Sequence, residues 1–314
     1  MKTSLFHNPA AGGGSDTPAT GGGGADDPDE ASLLAMLREA GLEISAHDTR
    51  GASLQQGLDE GAALLLVAGG DGTVGRIATD FASRAPAPDR RMAVLPLGTA
   101  NNLARALGPW PSPAHFARGW REAAPRRLNV ALAEAEGWGT RRFVESVGFG
   151  AFARAVEHAD ETGEEGVEAG RAVFRRILSG ALPGQARILV DGTVQEVETL
   201  LVEVMNIALF GPNLVLAPEA DPGDDMLDVV TLHPDQRHAM LDWLRAPGSG
   251  APPVTVWRGR SVVVEWPGAA LRLDDEPQEG GAPPALSFRL EPEPLTFLVP
   301  PECLAAPKPR KAGV

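Results

Sequence analysis

Two glycine-rich turns in the first third of the chain have the residue types that bind phosphate. An apolar run at 64–68 ends in the segment GGDGT at 69–73, and apolar residues then recur at helical spacing from 74 to 81. This pattern predicts a buried strand, a tight turn and a helix start. Such a turn presents backbone N–H groups and a hydroxyl at a helix N-terminus, where an anion is stabilised. A carboxylate repels phosphate, so Asp71 is expected to bind Mg²⁺ or to order water. The simpler alternative is a glycine turn with Asp71 as the helix N-cap.

A second segment repeats this pattern. An apolar run at 92–97 ends in Gly98-Thr99, and the polar residue Asn101 precedes an amphipathic stretch that reaches Leu107. Consecutive parallel strands end side by side at one edge of a sheet, and open α/β sheets bind ligands at that edge. Two Gly-Thr turns at the same edge are hard to explain by packing alone, so the pair favours a phosphate site.

The elements that carry these turns alternate between strand and helix. A helix is predicted around Leu33 to Leu37, with Gly41 as its stop signal. Other predicted helices cover 51–60, 74–84 and 100–107, and predicted strands cover 3–7, 43–49, 62–68 and 92–96. This alternation is typical of a parallel, three-layer α/β sheet. The glycine-rich segment that follows the first strand is expected to be a flexible loop.

After Pro125 the pattern changes to strands joined by β-type turns. The predicted strands cover 127–134, 140–149, 186–190, 195–206, 227–232, 255–266, 271–273, 286–290 and 295–299, with one helical stretch at about 152–179. The sequence therefore predicts an α/β nucleotide-binding domain over 1–125 and a mainly antiparallel β-sandwich over 126–314. The last strand is a candidate to return to the first lobe.

Composition limits the classes of function. The 314 residues carry a formal net charge of -14, which argues against nucleic-acid binding and against stable adsorption to an anionic membrane. No apolar run is long enough for a transmembrane helix, and the N-terminus has no signal-peptide pattern. The single cysteine, Cys303, excludes an internal disulfide framework and a cysteine-ligated zinc site. A cytoplasmic location is expected.

Further motifs accompany the two turns along nearly the whole chain. They are Asn8-Pro9, Phe149-Gly150-Ala151-Phe152-Ala153, Asn206, Ala217-Pro218-Glu219-Ala220-Asp221, Asp225-Met226-Leu227-Asp228 and Asp274-Asp275-Glu276. In this order the set resembles the diacylglycerol kinase catalytic-domain family, which includes bacterial lipid kinases and the sphingosine and ceramide kinases. The resemblance implies an α/β lobe and a β-sandwich lobe, with the active site in the cleft between them.

The resemblance also implies a reaction and its residues. The reaction is transfer of the γ-phosphoryl group of ATP, with Mg²⁺, to a hydroxyl of diacylglycerol or a related membrane lipid that the enzyme reaches transiently. The implied ATP contacts are Asn8, Pro9, Thr49, Gly69, Gly70, Gly72, Thr73, Gly98, Thr99 and Asn101. The implied Mg²⁺ ligands are Asp221, Asp225 and the carbonyl of Leu227. The implied catalytic groups are Glu276 as proton acceptor, Asp71 at the phosphates and Asp274 beside them.

The role of Glu276 also has a chemical rationale. A lipid hydroxyl is a poor nucleophile, so a carboxylate within reach can accept its proton as the new bond forms. If the strand that begins at Leu271 continues, Asp274 and Glu276 lie on one face because side chains alternate with a period of two. The alternative is an acidic surface turn before Pro277.

Several positions depart from the family pattern and leave other functions open. Gly75 and Arg76 replace an Asn-Glu pair, and Asp275 replaces the glycine of Asp-Gly-Glu. Asn102-Leu103 replaces Asp-Phe, and Met226 replaces the acidic-loop glycine. One alternative is an NAD kinase, which phosphorylates a ribose hydroxyl. Another is a non-catalytic nucleotide- or lipid-binding protein. The oligomeric state, including a homodimer, is left open.

Overall fold

The first lobe is built on a parallel sheet. The computed structural model describes residues 1–8, 29–84, 89–164, 166–268 and 270–304. The first five strands are β1 (Lys2–His7), β2 (Glu43–Asp48), β3 (Leu64–Gly69), β4 (Arg91–Pro96) and β5 (Ala124–Leu128). The helices between them are α1 (Glu30–Glu39), α2 (Gly51–Asp59), α3 (Asp71–Ala82), α4 (Asn102–Leu107) and α5 (Pro113–Gly119). Four of these helices match the predicted ones, and α5 was not predicted.

The second lobe is formed mostly by antiparallel strands. They are β6 (Ala131–Ala135), β7 (Gly139–Phe143), β8 (Ser146–Gly150), β9 (Gly184–Val190), β10 (Thr193–Thr199), β11 (Leu201–Met205), β12 (Leu209–Phe210), β13 (Leu214–Val215), β14 (Leu227–Thr231), β15 (Thr255–Gly259), β16 (Val262–Glu265), β17 (Leu271–Leu273), β18 (Glu276–Pro277), β19 (Ala285–Leu290) and β20 (Leu295–Val299). Its helices are α6 (Ala151–Thr162), α7 (Val167–Gly180) and α8 (Arg237–Trp243).

The first sheet has the strand order β2-β1-β3-β4-β20-β5. Strands β2, β1, β3, β4 and β20 pair in parallel, and β5 pairs antiparallel to β20. The chain therefore returns to this lobe near its end, and the sheet extends past residue 125. Strand alternation explains the three layers, because Leu65 and Val67 face the core under α2 to α4, whereas Leu64 and Leu66 face the core under α1 and α5. The predicted α/β class is confirmed.

Two six-stranded sheets form the sandwich. One has the order β10-β9-β16-β19-β6-β7 and the other the order β15-β14-β11-β8-β17-β18. Side chains from both sheets share one interior, in which Phe149 contacts Phe288 edge to face with ring centroids 6.4 Å apart. Helices α6 to α8 cover a separate core on the outer side of the second sheet. The predicted β-sandwich is confirmed.

Four of the predicted long strands were wrong in extent, because each is two strands. The segments predicted at 127–134, 140–149, 195–206 and 255–266 each cross from one sheet to another near the middle. The helix predicted at about 152–179 is likewise two helices, α6 and α7, with Gly163 at φ +67° ending the first. Among the described residues, we find no helix whose length and apolar character would let it span a bilayer.

Candidate active site

The first phosphate-type turn leaves the start of α3 open. The helix begins at Asp71, and its N-cap residue, Gly70, has no side chain to occupy the free N–H groups. The hydroxyl of Thr73 accepts a hydrogen bond from Asn8 Nδ2 at 3.1 Å, so the structure brings these two predicted contacts together. The backbone carbonyl of Thr49 accepts a hydrogen bond from Arg76, which places this arginine beside the same edge. Pro9, the neighbouring predicted contact, lies outside the described residues.

The second turn is closed by Asn101. Its side chain donates to the carbonyl of Gly98 at 2.5 Å and accepts from the amide of Gly98 at 3.0 Å. Asn101 has φ +52°, a left-handed conformation that asparagine tolerates better than most residues. It therefore shapes the turn and keeps its side chain inside it. Thr99 is exposed at the tip, and no hydrogen bond involves its hydroxyl among the described residues.

The two turns touch each other through their backbones. A Cβ atom placed on Gly98 would lie 2.4 Å from the Cα atom of Gly70, a distance that no side chain accommodates. On the first turn, a Cβ atom on Gly69 would lie 3.0 Å from the Thr73 side chain, whereas one on Gly72 would meet nothing within 4 Å. The expected side-by-side arrangement is thus present, and the close approach requires glycine at position 98.

Asp71 caps the neighbouring helix and not its own. Its Oδ2 accepts from the amide of Asn102 at 2.9 Å and its Oδ1 accepts from the amide of Leu103 at 3.1 Å, at the start of α4. The alternative in which Asp71 is the N-cap of α3 is therefore wrong. Burial, followed by the charge of Asp275, raises the pKa of Asp71 to about 6, and the amides only partly offset this.

Asp274 and Asp275 form the two-residue turn between β17 and β18. Asp274 has φ +49°, and its carboxylate accepts from the backbone amides of Val144, Glu145 and Ser146 at 3.3, 2.8 and 3.1 Å. The prediction that a continuing strand places Asp274 and Glu276 on one face is wrong, because the strand ends before Asp274. Burial raises the pKa of Asp274 to about 6 despite these hydrogen bonds.

Glu276 is the first residue of β18 and is exposed. It lines a cavity of about 710 Å³ together with Arg154 and Asp160. Asp160 also lines a second cavity that contains Asp275, so the two cavities are neighbours. The structure therefore places Glu276 beside the cleft but outside the cluster of carboxylates around Asp71. Its role as proton acceptor stays a prediction.

Three carboxylates from the two lobes converge in the cleft. One oxygen from each of Asp71, Glu145 and Asp275 lies within 4.8 Å of the other two. Glu145 is only 3% exposed, and burial together with the neighbouring charges raises its pKa well above the ordinary range. Burial of the carboxyl group and the charge of Glu276 also raise the pKa of Asp275, against the opposing charge of Arg272, although the residue as a whole is exposed. This concentration of oxygen ligands fits a divalent cation.

A buried ion pair holds the turn that carries Asp275. Arg272 is 1% exposed, pairs with Glu203 at 2.5 Å and donates to Ser146 Oγ at 2.8 Å and to the carbonyl of Asp274. Its guanidinium also lies 5.0 Å from the ring centroid of Phe152. Arg272 therefore fixes the turn that carries Asp275 and is itself committed to these partners.

The predicted Mg²⁺ ligands Asp221, Asp225 and Leu227 are not members of this cluster, and the two aspartates have other partners. Asp225 Oδ1 accepts from Arg127 and from Asn129 Nδ2, each at 2.9 Å. Asp221 Oδ1 accepts from the amide of Gly223 at 3.0 Å, within its own loop. Leu227 begins β14 and is buried. These contacts join the acidic loop to the link between β5 and β6. The ligand role of the three residues stays a prediction.

An apolar cavity opens beside the second turn. It has a volume of about 470 Å³, and its walls include Thr99, Phe152, Val156, Ala159 and Asp275. Helices α6 and α7 supply most of its apolar surface. The cavity therefore runs from apolar side chains of α6 to Thr99 of the second turn and to Asp275 of the carboxylate cluster.

Sequence reasoning missed Glu145 and Arg272 and treated Asp275 only as a departure from a motif. The available signal was a charged residue inside an apolar run, since Glu145 falls between Phe143 and Phe149. A charge at such a position is either paired, at a strand break or functional. The contacts of Glu145 come from segments 74 and 130 residues away, and the sequence does not show them.

The chain belongs to the diacylglycerol kinase family. Residues 2–133 match the model of the diacylglycerol kinase catalytic domain, and residues 145–299 match that of the YegS C-terminal NAD kinase beta sandwich-like domain. A probable lipid kinase YegS-like protein of Pseudomonas aeruginosa is 30% identical over 79% of this chain and 83% of its own length. A diacylglycerol kinase of Mycobacterium tuberculosis is 26% identical over 93% of this chain and 95% of its own length. The predicted family is confirmed, and it is a family of kinases.

Solved structures show the same fold. A diacylglycerol kinase structure from Bacillus anthracis aligns with a TM-score of 0.68 over 96% of this chain and 98% of its own length, at 20% identity. An NAD kinase from Archaeoglobus fulgidus aligns with a TM-score of 0.52 over 96% of this chain and 95% of its own length, at 11% identity. The architecture is thus shared with NAD kinases, while the sequence matches are to lipid kinases.

Proposed function

We propose that this protein transfers the γ-phosphoryl group of ATP, with Mg²⁺, to a hydroxyl of diacylglycerol or a related membrane lipid. The observation that carries the proposal is the apolar cavity that joins Thr99 to Asp275. A lipid chain lying against Phe152, Val156 and Ala159 would bring its hydroxyl to the turns, where the phosphates are expected. The lipid-kinase names of the relatives support the same acceptor class.

The two turns supply the proposed nucleotide site. Open N–H groups at the start of α3, the Thr73 hydroxyl held by Asn8, and the exposed Thr99 hydroxyl can all donate to phosphate oxygens. The rigid contact between Gly70 and Gly98 fixes the spacing of these donors. Phosphoryl transfer depends mainly on positioning and on charge stabilisation. The fixed donors of the two turns would provide the positioning.

Mg²⁺ would supply the charge stabilisation. The carboxylate oxygens in the cleft are hard ligands, and Asp71 contributes one of them from the nucleotide lobe. Because both oxygens of Asp71 already accept from amides of α4, its position is fixed before the cation arrives. Glu276 is the proposed proton acceptor, because the two neighbouring carboxylates have other roles. Asp274 accepts from three backbone amides, and Asp275 belongs to the carboxylate cluster.

The acceptor is a membrane lipid, so we propose a peripheral and transient encounter with the bilayer. The net charge of -14 opposes tight adsorption to anionic membranes. The NAD kinase alternative rests on the shared fold alone, and an apolar cavity suits a dinucleotide less well than a lipid chain.

The proposal is tested by supplying γ-labelled ATP and Mg²⁺ with micelles that contain diacylglycerol, phosphatidylglycerol or a sphingoid base. Label in at least one lipid is expected, and its absence from all three would overturn the proposal. Ala159→Phe should raise the KM for the labelled lipid and leave the KM for ATP unchanged, because Ala159 lines the cavity. His158→Phe is the matched control on the same helix. If the two variants had equal KM values for the lipid, the cavity would not be the site at which the lipid binds.

A further inference from the structure

We propose that Glu145, together with Asp71 and Asp275, binds a divalent cation that joins the two lobes in the absence of nucleotide. Asp71 belongs to the first lobe, and Glu145 and Asp275 belong to the second. The cation site would therefore be completed only when the cleft is formed. Such a site does not depend on the identity of the phosphoryl acceptor.

The spacing of the three carboxylates suits one ion. Their oxygens lie within 4.8 Å of one another. Ligand oxygens on opposite sides of an ion are about 4 Å apart for Mg²⁺ and about 5 Å apart for Ca²⁺, so small side-chain movements suffice for either. Oxygen ligands of this kind favour Mg²⁺, Mn²⁺ or Ca²⁺ over the softer metals that prefer sulfur or imidazole.

Glu145 is the observation that points to a ligand. The residue is only 3% exposed, and within the described part of the chain its carboxylate has neither a hydrogen-bond donor nor an ion-pair partner. A carboxylate buried without a partner is costly unless something compensates its charge. One of its oxygens lies within 4.8 Å of oxygens of Asp71 and Asp275, and these two carboxylates add negative charge when they are ionised.

Among the described residues, we find no nearby basic group that takes the place of the cation. Arg272 is the basic residue that influences Glu145 electrostatically, yet its guanidinium is engaged by Glu203, Ser146 and the carbonyl of Asp274. Since Arg272 offsets the negative charge of the cluster only in part, a bound proton or a cation from solution has to compensate the rest. A cation that binds the carboxylates displaces such a proton.

The ligands are also held rigidly. The amide of Glu145 donates to Asp274 at 2.8 Å, and its carbonyl accepts from the amide of Asn206 at 2.8 Å. Asp71 is fixed by two amides of α4, and the turn that bears Asp275 is fixed by Asp274 and Arg272. A site whose ligands are positioned in advance binds its ion with a smaller loss of conformational freedom.

The test is to measure Mn²⁺ binding to the full chain without nucleotide. Titration calorimetry and electron paramagnetic resonance of the free Mn²⁺ both report this binding. We expect one ion per chain, a rise in melting temperature on binding, and a loss of affinity of at least about tenfold in Glu145→Gln. Asp275→Asn should show the same loss, and it is a second variant in case Glu145→Gln does not fold. Glu196→Gln, at an exposed position on β10, should bind as the wild type does.

Three results would overturn the proposal. They are wild-type protein that binds no Mn²⁺, carboxamide variants at positions 145 and 275 that bind it with unchanged affinity, and a loss of binding in Asp225→Asn alone. The last result would assign the ion to the acidic loop. Because no nucleotide or lipid is present, none of these results depends on the proposed phosphoryl transfer.

Discussion

The carboxylate of Asp71, in the first turn of α3, accepts a hydrogen bond from the backbone amide of Asn102 at the start of α4. One side chain thus fixes the relative position of the two helices whose N-termini follow the phosphate-type turns. The same side chain lies among the carboxylates of the cleft. A structural and a chemical role therefore coincide at one residue, and a single substitution should affect both.

Asp71→Asn is expected to abolish transfer and also to destabilise the fold slightly. The amide keeps one acceptor for α4 but replaces the other by a donor, which costs about 1 kcal/mol, as for the loss of a helix cap. The lost charge removes the metal–phosphate interaction, which dominates the rate. Turnover and the urea midpoint measure the two effects, with Asp80→Asn on the same helix as the control. Turnover within about threefold of the wild type would contradict the chemical role.

Gly98→Ala should separate the two turns. The new methyl group would lie 2.4 Å from the Cα atom of Gly70, so backbone has to shift. Overpacking of this kind costs about 1–3 kcal/mol, and ATP affinity should fall because the donors lose their spacing. Gly180→Ala is the matched control, since its Cβ atom meets nothing within 4 Å. Unchanged stability and unchanged nucleotide affinity in Gly98→Ala would show that the turns tolerate separation.

Thr99→Val should raise the KM for ATP without lowering the melting temperature. The Thr99 hydroxyl makes no hydrogen bond among the described residues, and the N-cap of α4 is Asn101. Loss of one hydrogen bond to a charged phosphate corresponds to about a tenfold change in affinity. Steady-state kinetics and thermal unfolding of the same preparations provide the measurement. A lower melting temperature with an unchanged KM would indicate a structural role instead.

Glu276→Gln should lower kcat by about 10²–10⁴ with little change in ATP affinity or melting temperature. The amide keeps the size of the side chain but cannot accept the proton. Asp274→Asn should instead lower the melting temperature, because an amide nitrogen would face the backbone N–H groups that Asp274 now accepts. Full kcat in Glu276→Gln would move the proton acceptor to another carboxylate, with Asp275→Asn as the next variant.

Glu203 should make stability depend on pH. Burial raises its pKa from 4.5 to about 7 in the folded protein, although Arg272 opposes the rise. Because the folded state binds this proton more tightly than the unfolded state, its contribution is complete below about pH 4.5 and is lost as the pH rises through about 7. Urea unfolding between pH 5 and 8 should show a smaller decline in Glu203→Gln than in the wild type. Equal declines would refute this, and exposed Glu196→Gln is the control.

The parallel lobe could be predicted because its signals are local. Strands β3 and β4 each end at a glycine turn, and a helix with a regular apolar stripe follows, so 64–73 and 92–107 define their elements within a few residues. The same locality explains one error, since the helix predicted from 74 begins at Asp71, inside the turn. Apolar spacing detects the face of a helix, whereas its first residues carry no such spacing.

The strands of the sandwich were harder to predict, because the alternation of apolar and polar residues does not mark the point where the chain changes sheet. Residues 195–206 continue the apolar pattern from β10 into β11, yet the two strands belong to opposite sheets that share one interior. Both halves of such a segment bury the same kind of side chain, so the break is invisible in the pattern. The carboxylate cluster was missed for a related reason, because Asp71, Glu145 and Asp275 meet only after both lobes have formed.

A competition between a lipid and NAD for the labelled phosphoryl group of ATP shows which acceptor the cleft serves. Wild-type protein is given γ-labelled ATP, Mg²⁺, diacylglycerol micelles and NAD in one reaction, which is then separated into organic and aqueous phases. If the protein is a lipid kinase, the label appears in the organic phase as a lipid phosphate monoester. Label in the aqueous phase as phosphorylated NAD, with none in the lipid, would contradict it.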